Sequence, residues 1–229
     1  AVFSVLNGVL LRPLPYPEPE QLVGVWHSAQ FQGMSSNNVR LSSTMYVTYR
    51  EHATTFAEFG IWHAEQASVI GAGEPEEVPA LVVTYETLRA IGVPPAIGRW
   101  FSAADDTPGT PETAILTYGY WRRRFAGNPA IIGTSVIIDA RPRIVIGVMP
   151  RTFRFLNVET SVILPQRFEG DQLLPNDAHA YVGIARLKPG VSLAQANADV
   201  GRMLPIWIAE RGTNQRVLTG AGFGPALRP

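Results

Sequence analysis

The stretch YVGIARLKPGVSLAQANADVGRMLPIW, residues 181–207, decides the fold class. Its first seven residues read as a strand. In Lys188-Pro189-Gly190 the proline presets φ for the second position of a turn, and the glycine accepts the positive φ of the third. Ser192 with Gln195 three residues on is a capping box, and Leu193, Ala196, Val200, Met203 and Trp207 recur at spacings of 3, 4, 3 and 4, one face of a helix. Pro205 has no N–H to donate and is expected to kink or end that helix. A strand that turns directly into an amphipathic helix is one part of a βαβ unit and calls for its partner strands elsewhere in the chain.

Those partners lie near the start. Residues 21–28 (QLVGVWHS) read as a strand, followed by a polar loop at 30–40. Ser42 or Ser43 is placed to cap a helix whose Met45, Tyr49, His52 and Phe56 share a face, with Gly60 as its expected end. Residues 61–70 are a second strand, 71–75 (GAGEP) a turn, 78–84 a third strand, and 86–90 a short helix stopped by Gly92 and Pro94-Pro95. From there to Pro175 the chain is rich in strands and turns around one helix at 118–125, with 134–139 and 143–149 forming a hairpin. The expected fold class is therefore α+β: a βαβ lobe built from 20–93 and 178–218, interrupted by a strand-rich lobe at 94–177. Val23, Ile61, Val82 and Ile184 are expected in one sheet, covered by the helices that begin near Ser43 and Ser192.

Composition excludes several function classes. Hydrophobic side chains make up 46% of the 229 residues and charged ones 17%, enough apolar material for a packed core and too little charge for a disordered chain. Nineteen basic residues balance nineteen acidic ones, so no net field draws in nucleic acid. With no cysteine there is no disulfide, thiolate nucleophile or cysteine-ligated metal. No apolar run is long enough to span a bilayer, yet residues 1–11 (AVFSVLNGVLL) are uncharged and stop at Arg12 and the proline-rich 13–17. They read as the last turns of a longer hydrophobic helix, and residues 219–229 as the return toward a membrane. A signal peptide would need a basic leading region and a small-residue cleavage site, and neither is present.

The search for chemistry nominates no catalytic, cofactor-binding or metal-binding residue. His27, His52, His63 and His179 form no ligand-spaced pair, and His52 reads as a core or interface histidine. Asp105-Asp106 stand next to each other in an extended segment, where neighbouring side chains point apart, so they read as solvated turn residues rather than an acid/base pair. Arg122, Arg123 and Arg124 fan around a helix and read as a solvated face with acidic partners. The glycine clusters at 71–73 and 220–224 lack the spacing of a nucleotide loop.

Five segments together carry a family resemblance: SVLNGVLLRPLPYPEPEQLV (4–23), YWRRRFAGNPAIIG (120–133), IGVMPRTFRF (146–155), RLKPGVSLAQA (186–196) and FGPALRP (223–229). The set resembles the MacB-like periplasmic core domain of ABC-transporter permeases in the FtsX/MacB superfamily, most closely the duplicated orphan permeases. The resemblance implies a porter-like βαβ lobe with an inserted Sabre-like lobe, held between two transmembrane helices on the periplasmic side of the inner membrane. It implies a non-enzymatic role in export, coupling helix motion to substrate or partner handling. The implied partners are the membrane helices of the same permease chain, a cytoplasmic ATPase subunit reached through them, a second periplasmic domain copy or permease protomer, and a periplasmic adaptor. Relatives commonly carry Asp-Gly at the hairpin turn where Asp139-Ala140 stands here. A different class of function, a free-standing secreted module binding carbohydrate or peptide through Trp26, Trp62 and Trp100, is the alternative.

Overall fold

The computed structural model describes residues 15–31, 34–71, 73–169, 173, 179–211 and 220–229. The expected membrane-helix end at 1–11 lies outside them. The strands in chain order are β1 (Leu22–Val25), β2 (His27–Phe31), β3 (Met34–Val39), β4 (Phe56–Ile70), β5 (Glu76–Val83), β6 (Ile97–Gly98), β7 (Thr113–Leu116), β8 (Ser135–Ile138), β9 (Arg141–Val148), β10 (Val162–Pro165), β11 (Val182–Leu187) and β12 (Gly224–Pro225). The helices are α1 (Ser43–His52), α2 (Tyr85–Ile91), α3 (Tyr118–Phe125) and α4 (Leu193–Arg211). The fold is mixed α+β, with a nine-stranded mixed sheet and a small sheet of order β12-β2-β3.

The 15-residue β4 organises the large sheet. Its first half pairs with β11, which in turn pairs with β1, giving an open wing. Its second half pairs with β5 along one edge and with β8 at its far end. From β5 the pairing continues to β10, β7, β9 and β8 and so returns to β4, a closed ring of six strands. The ring takes β7 to β10 from residues 94–177 and β4 and β5 from the preceding segment. Val23, Ile61, Val82 and Ile184 do lie in one sheet, in β1, β4, β5 and β11.

Alternation along these strands sorts the core into three clusters. Val23 and Val25 of β1, Phe59 and Ile61 of β4, and Ala185 and Leu187 of β11 face Met45 and Tyr49 of α1 and Val200, Met203 and Trp207 of α4. Around the ring, Ala80 and Val82, Val162 and Leu164, and Ala114 and Leu116 share one cluster, while Leu81, Val83, Ile163 and Ile115 on the opposite face join α2, Phe101 and Phe153. Tyr120 and Trp121 of α3 complete the first of these ring clusters.

Local chemistry accounts for the departures from the sequence expectations. The expected 21–28 strand is split at Trp26: β1 belongs to the large sheet and β2 to the small one, whose β3 occupies much of the expected 30–40 loop. Ser42 caps α1 by accepting from the Met45 N–H at 3.2 Å, but the helix ends at His52 because Ala53 is extended. Phe56 therefore opens β4 rather than continuing the helical face. Gly60 is no helix stop either: it sits within β4, where a Cβ would come within 2.7 Å of the Thr87 backbone nitrogen at the start of α2. Pro205 does not end α4, which runs on to Arg211 with the proline on its exposed side. The residue four before it, whose carbonyl a proline ring crowds, is the adaptable Gly201.

The 139–140 turn joins β8 to β9 with positive φ at both positions, 52° for Asp139 and 60° for Ala140, the two-residue hairpin conformation that favours Asn-Gly or Asp-Gly. Asp139 docks the turn on β4: its N–H donates to the Ser68 carbonyl at 2.9 Å, and its carboxylate accepts from the Ser68 N–H at 2.9 Å. Ala140 has no such compensation. Ala140→Gly is expected to stabilise the protein by about 1 kcal/mol, the cost of a left-handed alanine, as read from the urea midpoint.

A second anchor joins α4 to the turn between α1 and β4. Asp199, buried on α4, accepts from the Thr54 N–H (2.8 Å), the Thr55 N–H (3.0 Å) and the Thr55 hydroxyl (2.9 Å), and its other oxygen accepts from Arg202 at 2.7 Å. Asp199→Ala leaves two N–H groups without their acceptor and is expected to cost about 2–3 kcal/mol in the same measurement.

Candidate functional site

The place where the chain enters and leaves the wing is built by main-chain pairing. Gly24 of β1 donates to the Arg228 carbonyl at 2.7 Å and accepts from the Arg228 N–H at 3.1 Å, and Ala226 donates to the Trp26 carbonyl at 2.8 Å. The run is antiparallel, so the segment leading into Leu22 and the segment leading out through Pro229 emerge at the same end of β1. Trp26 folds back over Gly24, where a Cβ would lie 2.9 Å from the indole nitrogen, and Arg228 sits 4.5 Å from the Trp26 ring in a cation–π contact.

The entering segment is clamped at two points. Arg186, on β11 opposite Leu22, donates to the carbonyls of Pro17 (2.9 Å), Glu18 (3.2 Å) and Ala90 (2.9 Å), tying that segment to the C-terminal end of α2. The Tyr16 hydroxyl donates to the Arg154 carbonyl (2.8 Å) and accepts from the Leu156 N–H (2.7 Å), and burial raises its pKa. Residues 15–21 are thus bonded both to the wing and to the loop that follows β9.

Beside this clasp lies an apolar groove of about 430 Å³. Because Val23 and Val25 face the helices, Leu22, Gly24 and Trp26 face the other way and line the groove, with Ile184 and Trp62 beyond them. Trp62 packs edge-on against Phe155 with ring centroids 5.0 Å apart, and its buried indole nitrogen has no hydrogen-bond partner among the described residues. Of the three tryptophans proposed for ligand contact, Trp26 and Trp62 share this groove. Trp100 is elsewhere, half-buried with its N–H donated to the Val93 carbonyl at 3.0 Å.

The histidines occupy three places. His27 is fully buried, 2.7 Å from the Tyr49 hydroxyl and stacked on Phe223; burial, and secondarily the charge of His179, lowers its pKa to about 3. His179 also contacts Phe223. His63 pairs with Glu65 at 3.4 Å, and His52 lies 3.6 Å from Glu210 across the α1–α4 contact. Glu51, His52 and Glu210 are the one group among the described residues with metal-ligand atoms within 4.8 Å of one another, on an open part of the surface.

Asp105 and Asp106 are not solvated turn residues. Asp105 is buried and accepts from Arg99 (2.7 and 3.1 Å), from the N–H and hydroxyl of Ser102 (2.7 and 2.8 Å) and from Thr113 (2.9 Å). Burial alone would raise its pKa, but these donors outweigh it and hold the carboxylate at about 2. Asp106 accepts from the Tyr85 N–H at 2.8 Å, while its other, buried oxygen has no partner among the described residues. Burial, reinforced by Glu86 and Asp105, drives its pKa up to about 8. The two carboxylates serve different segments and form no acid/base pair. Arg123 and Arg124 share Glu76 at 3.3 and 3.4 Å, and Arg124 also donates to the carbonyls of Gly71 and Glu74, so the arginine run braces the β4–β5 turn. Sequence reasoning missed Arg186, whose one signal was a charged residue inside the otherwise apolar VGIARL.

Comparison with known proteins matches these features to one family. The profile of the MacB-like periplasmic core domain matches residues 1–203. The fold is similar to a domain from a Porphyromonas gingivalis protein described as a permease (TM-score 0.67, 15% identity, covering 93% of this chain and 91% of that one). It is also similar to the periplasmic region of MacB from Actinobacillus actinomycetemcomitans (0.58, 13%, 83% and 86%) and to the extracellular domain of the noncanonic ABC-type transporter YknZ from Gram-positive bacteria (0.57, 10%, 89% and 98%). No curated protein sequence matches the chain.

The raised pKa of Asp106 fixes the sign of a pH effect. The folded state holds this proton up to about pH 8 and the unfolded state only to about 3.8, so the contribution is fully present below 3.8 and is lost as pH rises through 8. Asp106→Asn cannot titrate. Its stability relative to the parent is expected to improve steadily between pH 4 and pH 8 in urea unfolding, and a constant difference would contradict the assignment.

Proposed function

We propose that this chain, which belongs to the MacB-like periplasmic core domain family and is the extracytoplasmic domain of an ABC-transporter permease, transmits membrane-helix motion to substrate or partner handling outside the membrane. The observation that carries the reading is the antiparallel clasp between residues 24–26 and 226–228, which brings the entering and leaving segments out at one end of β1. Two membrane helices attached there would pull on adjacent points of the same sheet. Arg186 and Tyr16 would pass the displacement to α2 and to the 153–156 loop, so that the wing and the ring move as packed bodies.

In this reading the βαβ wing is the porter-like lobe and the segment 94–177 the inserted, Sabre-like one. The domain performs no chemistry, and ATP is hydrolysed on a separate cytoplasmic subunit that acts through the membrane helices. The site is the periplasmic side of the inner membrane, the direction is export, and a second domain copy or an adaptor is the partner outside. The groove with Trp26 and Trp62 supports a second reading, a free-standing module that takes an apolar or aromatic-stacking ligand.

Arg186→Ala in the intact permease separates the two. Loss of the carbonyl clamp is expected to reduce transport while ATP turnover of the assembled transporter persists and the domain stays folded by circular dichroism. Unchanged transport with the clamp removed would sink the coupling reading. Recovery of the whole polypeptide outside the membrane fraction would favour the free-standing module.

A further inference from the structure

The groove beside the clasp has an apolar floor and one basic end. Gly24 of β1 lies opposite Ile184 of β11, so Leu22, Gly24 and Trp26 share a face with Ile184 and Val182. Val182 in turn lies opposite Trp62 of β4. The strand order β1-β11-β4 therefore sets Trp26 and Trp62 on either side of a floor made by Val182 and Ile184. Leu22 and Ile184, 3% and 4% exposed, form its deep end, where they pack on Leu88 and Ile91 of α2 and where Leu156 joins them. The volume of about 430 Å³ falls within the range of small-molecule sites, roughly 300–1,000 Å³.

Two arginines of the lining stand at the Trp26 end. Arg228 lies over the Trp26 ring and donates to the Asn38 side-chain carbonyl at 2.7 Å. Arg40 comes two residues after Asn38 and just before Leu41, which pairs with Tyr181, the neighbour of Val182. Its guanidinium donates to the Ala180 carbonyl at 3.4 Å. Both arginines are exposed, both bond neutral acceptors, and neither forms an ion pair with a described residue. The described lining holds no Asp or Glu to offset them. At the deep end the charge is already met: Arg186, opposite Leu22, is bonded to main-chain carbonyls, lies 3.9 Å from Glu18 and does not line the groove.

We infer that the groove binds a single-chain amphiphilic anion, a fatty-acid carboxylate. Its head meets Arg40 and Arg228, and its alkyl chain runs along Val182, Ile184 and Leu22 between the two tryptophans. A cation would meet two guanidiniums with no carboxylate in the lining to balance them. A small anion would leave the apolar floor wet, and a neutral hydrocarbon would leave both guanidiniums without an anionic partner. One body with an apolar chain and an anionic end satisfies floor and rim together. The inference names a ligand class for the groove of the second reading without needing a free-standing chain. Arg186, which tests the coupling reading, is outside the lining, so the two readings fail separately.

Calorimetric titration of the 229-residue chain with decanoate, octanoate, decanamide and decyltrimethylammonium, each below its micelle concentration, tests it. Saturable one-to-one binding of decanoate is expected. Removing the charge in decanamide should weaken binding about ten- to a hundredfold, the size of a charge-assisted hydrogen bond, and the cation should bind no better than the amide. Octanoate, two methylenes shorter, should bind about tenfold more weakly than decanoate. Arg40→Gln and Arg228→Gln should each weaken decanoate at least severalfold and leave decanamide unchanged. Arg40 is exposed and outside the clasp, which keeps the test valid if Arg228→Gln loosens the C-terminal run. No saturable decanoate binding, equal binding of decanamide or of the cation, or decanoate binding indifferent to Arg40→Gln overturns the assignment. Sedimentation of the chain with phosphatidylglycerol vesicles in place of decanoate binding would make the groove a membrane contact and overturn it as well.

Discussion

β4 is hydrogen-bonded over almost its whole length, first to β11 and then to β5 and β8, and every other part of the large sheet takes its position from it. A strand of 15 residues is far longer than the usual five or six, and it carries two different assemblies on one backbone. The wing uses its first half and the ring its second. A change in twist or register anywhere along β4 would alternate side chains out of both cores together, because the strand period is two. That shared backbone makes wing and ring mechanically continuous without a separate hinge strand.

Polar anchors hold this sheet to its coverings. Asp199 binds α4 to the turn entering β4, Asp139 binds the β8–β9 hairpin to its far end, and Asp105 gathers Arg99, Ser102 and Thr113 beside β7. Asp199 and Asp105 accept loop N–H groups (Thr54, Thr55 and Ser102) and Asp139 accepts that of Ser68 in β4, so each fixes a local conformation as well as a contact. The pKa values near 2 of Asp105 and Asp199 follow from those donors outweighing burial. Asp106, with one oxygen unmet among the described residues, shows the opposite balance and is raised.

The clasp at Gly24 and the groove beside it lie on the face of the wing opposite α1 and α4. One side of β1 and β11 is sealed by α1 and α4; on the other, α2 packs on Leu22 and Ile184, and Trp26, Trp62 and the C-terminal run flank the groove beside it. This arrangement places an apolar groove directly where the chain enters and leaves.

The sequence by itself determined the fold class, the family and the local elements whose signals are short-range. The capping box at Ser192 and the 3-and-4 spacing through Trp207 specify α4, because a helix face is defined within a few residues. Long-range pairing decided the rest. Nothing local marks β4 as one strand from Phe56 to Ile70, since Phe56 falls at helical spacing and Gly60 resembles a stop until Thr87 is packed against it. The adjacent Asp105 and Asp106 shift in opposite directions although burial raises both, because Arg99, Ser102 and Thr113 outweigh it at Asp105 while Glu86 and Asp105 reinforce it at Asp106. The closure of the ring and the antiparallel clasp join residues up to some two hundred positions apart, and such contacts exist only once the chain has paid the entropy of closing those loops.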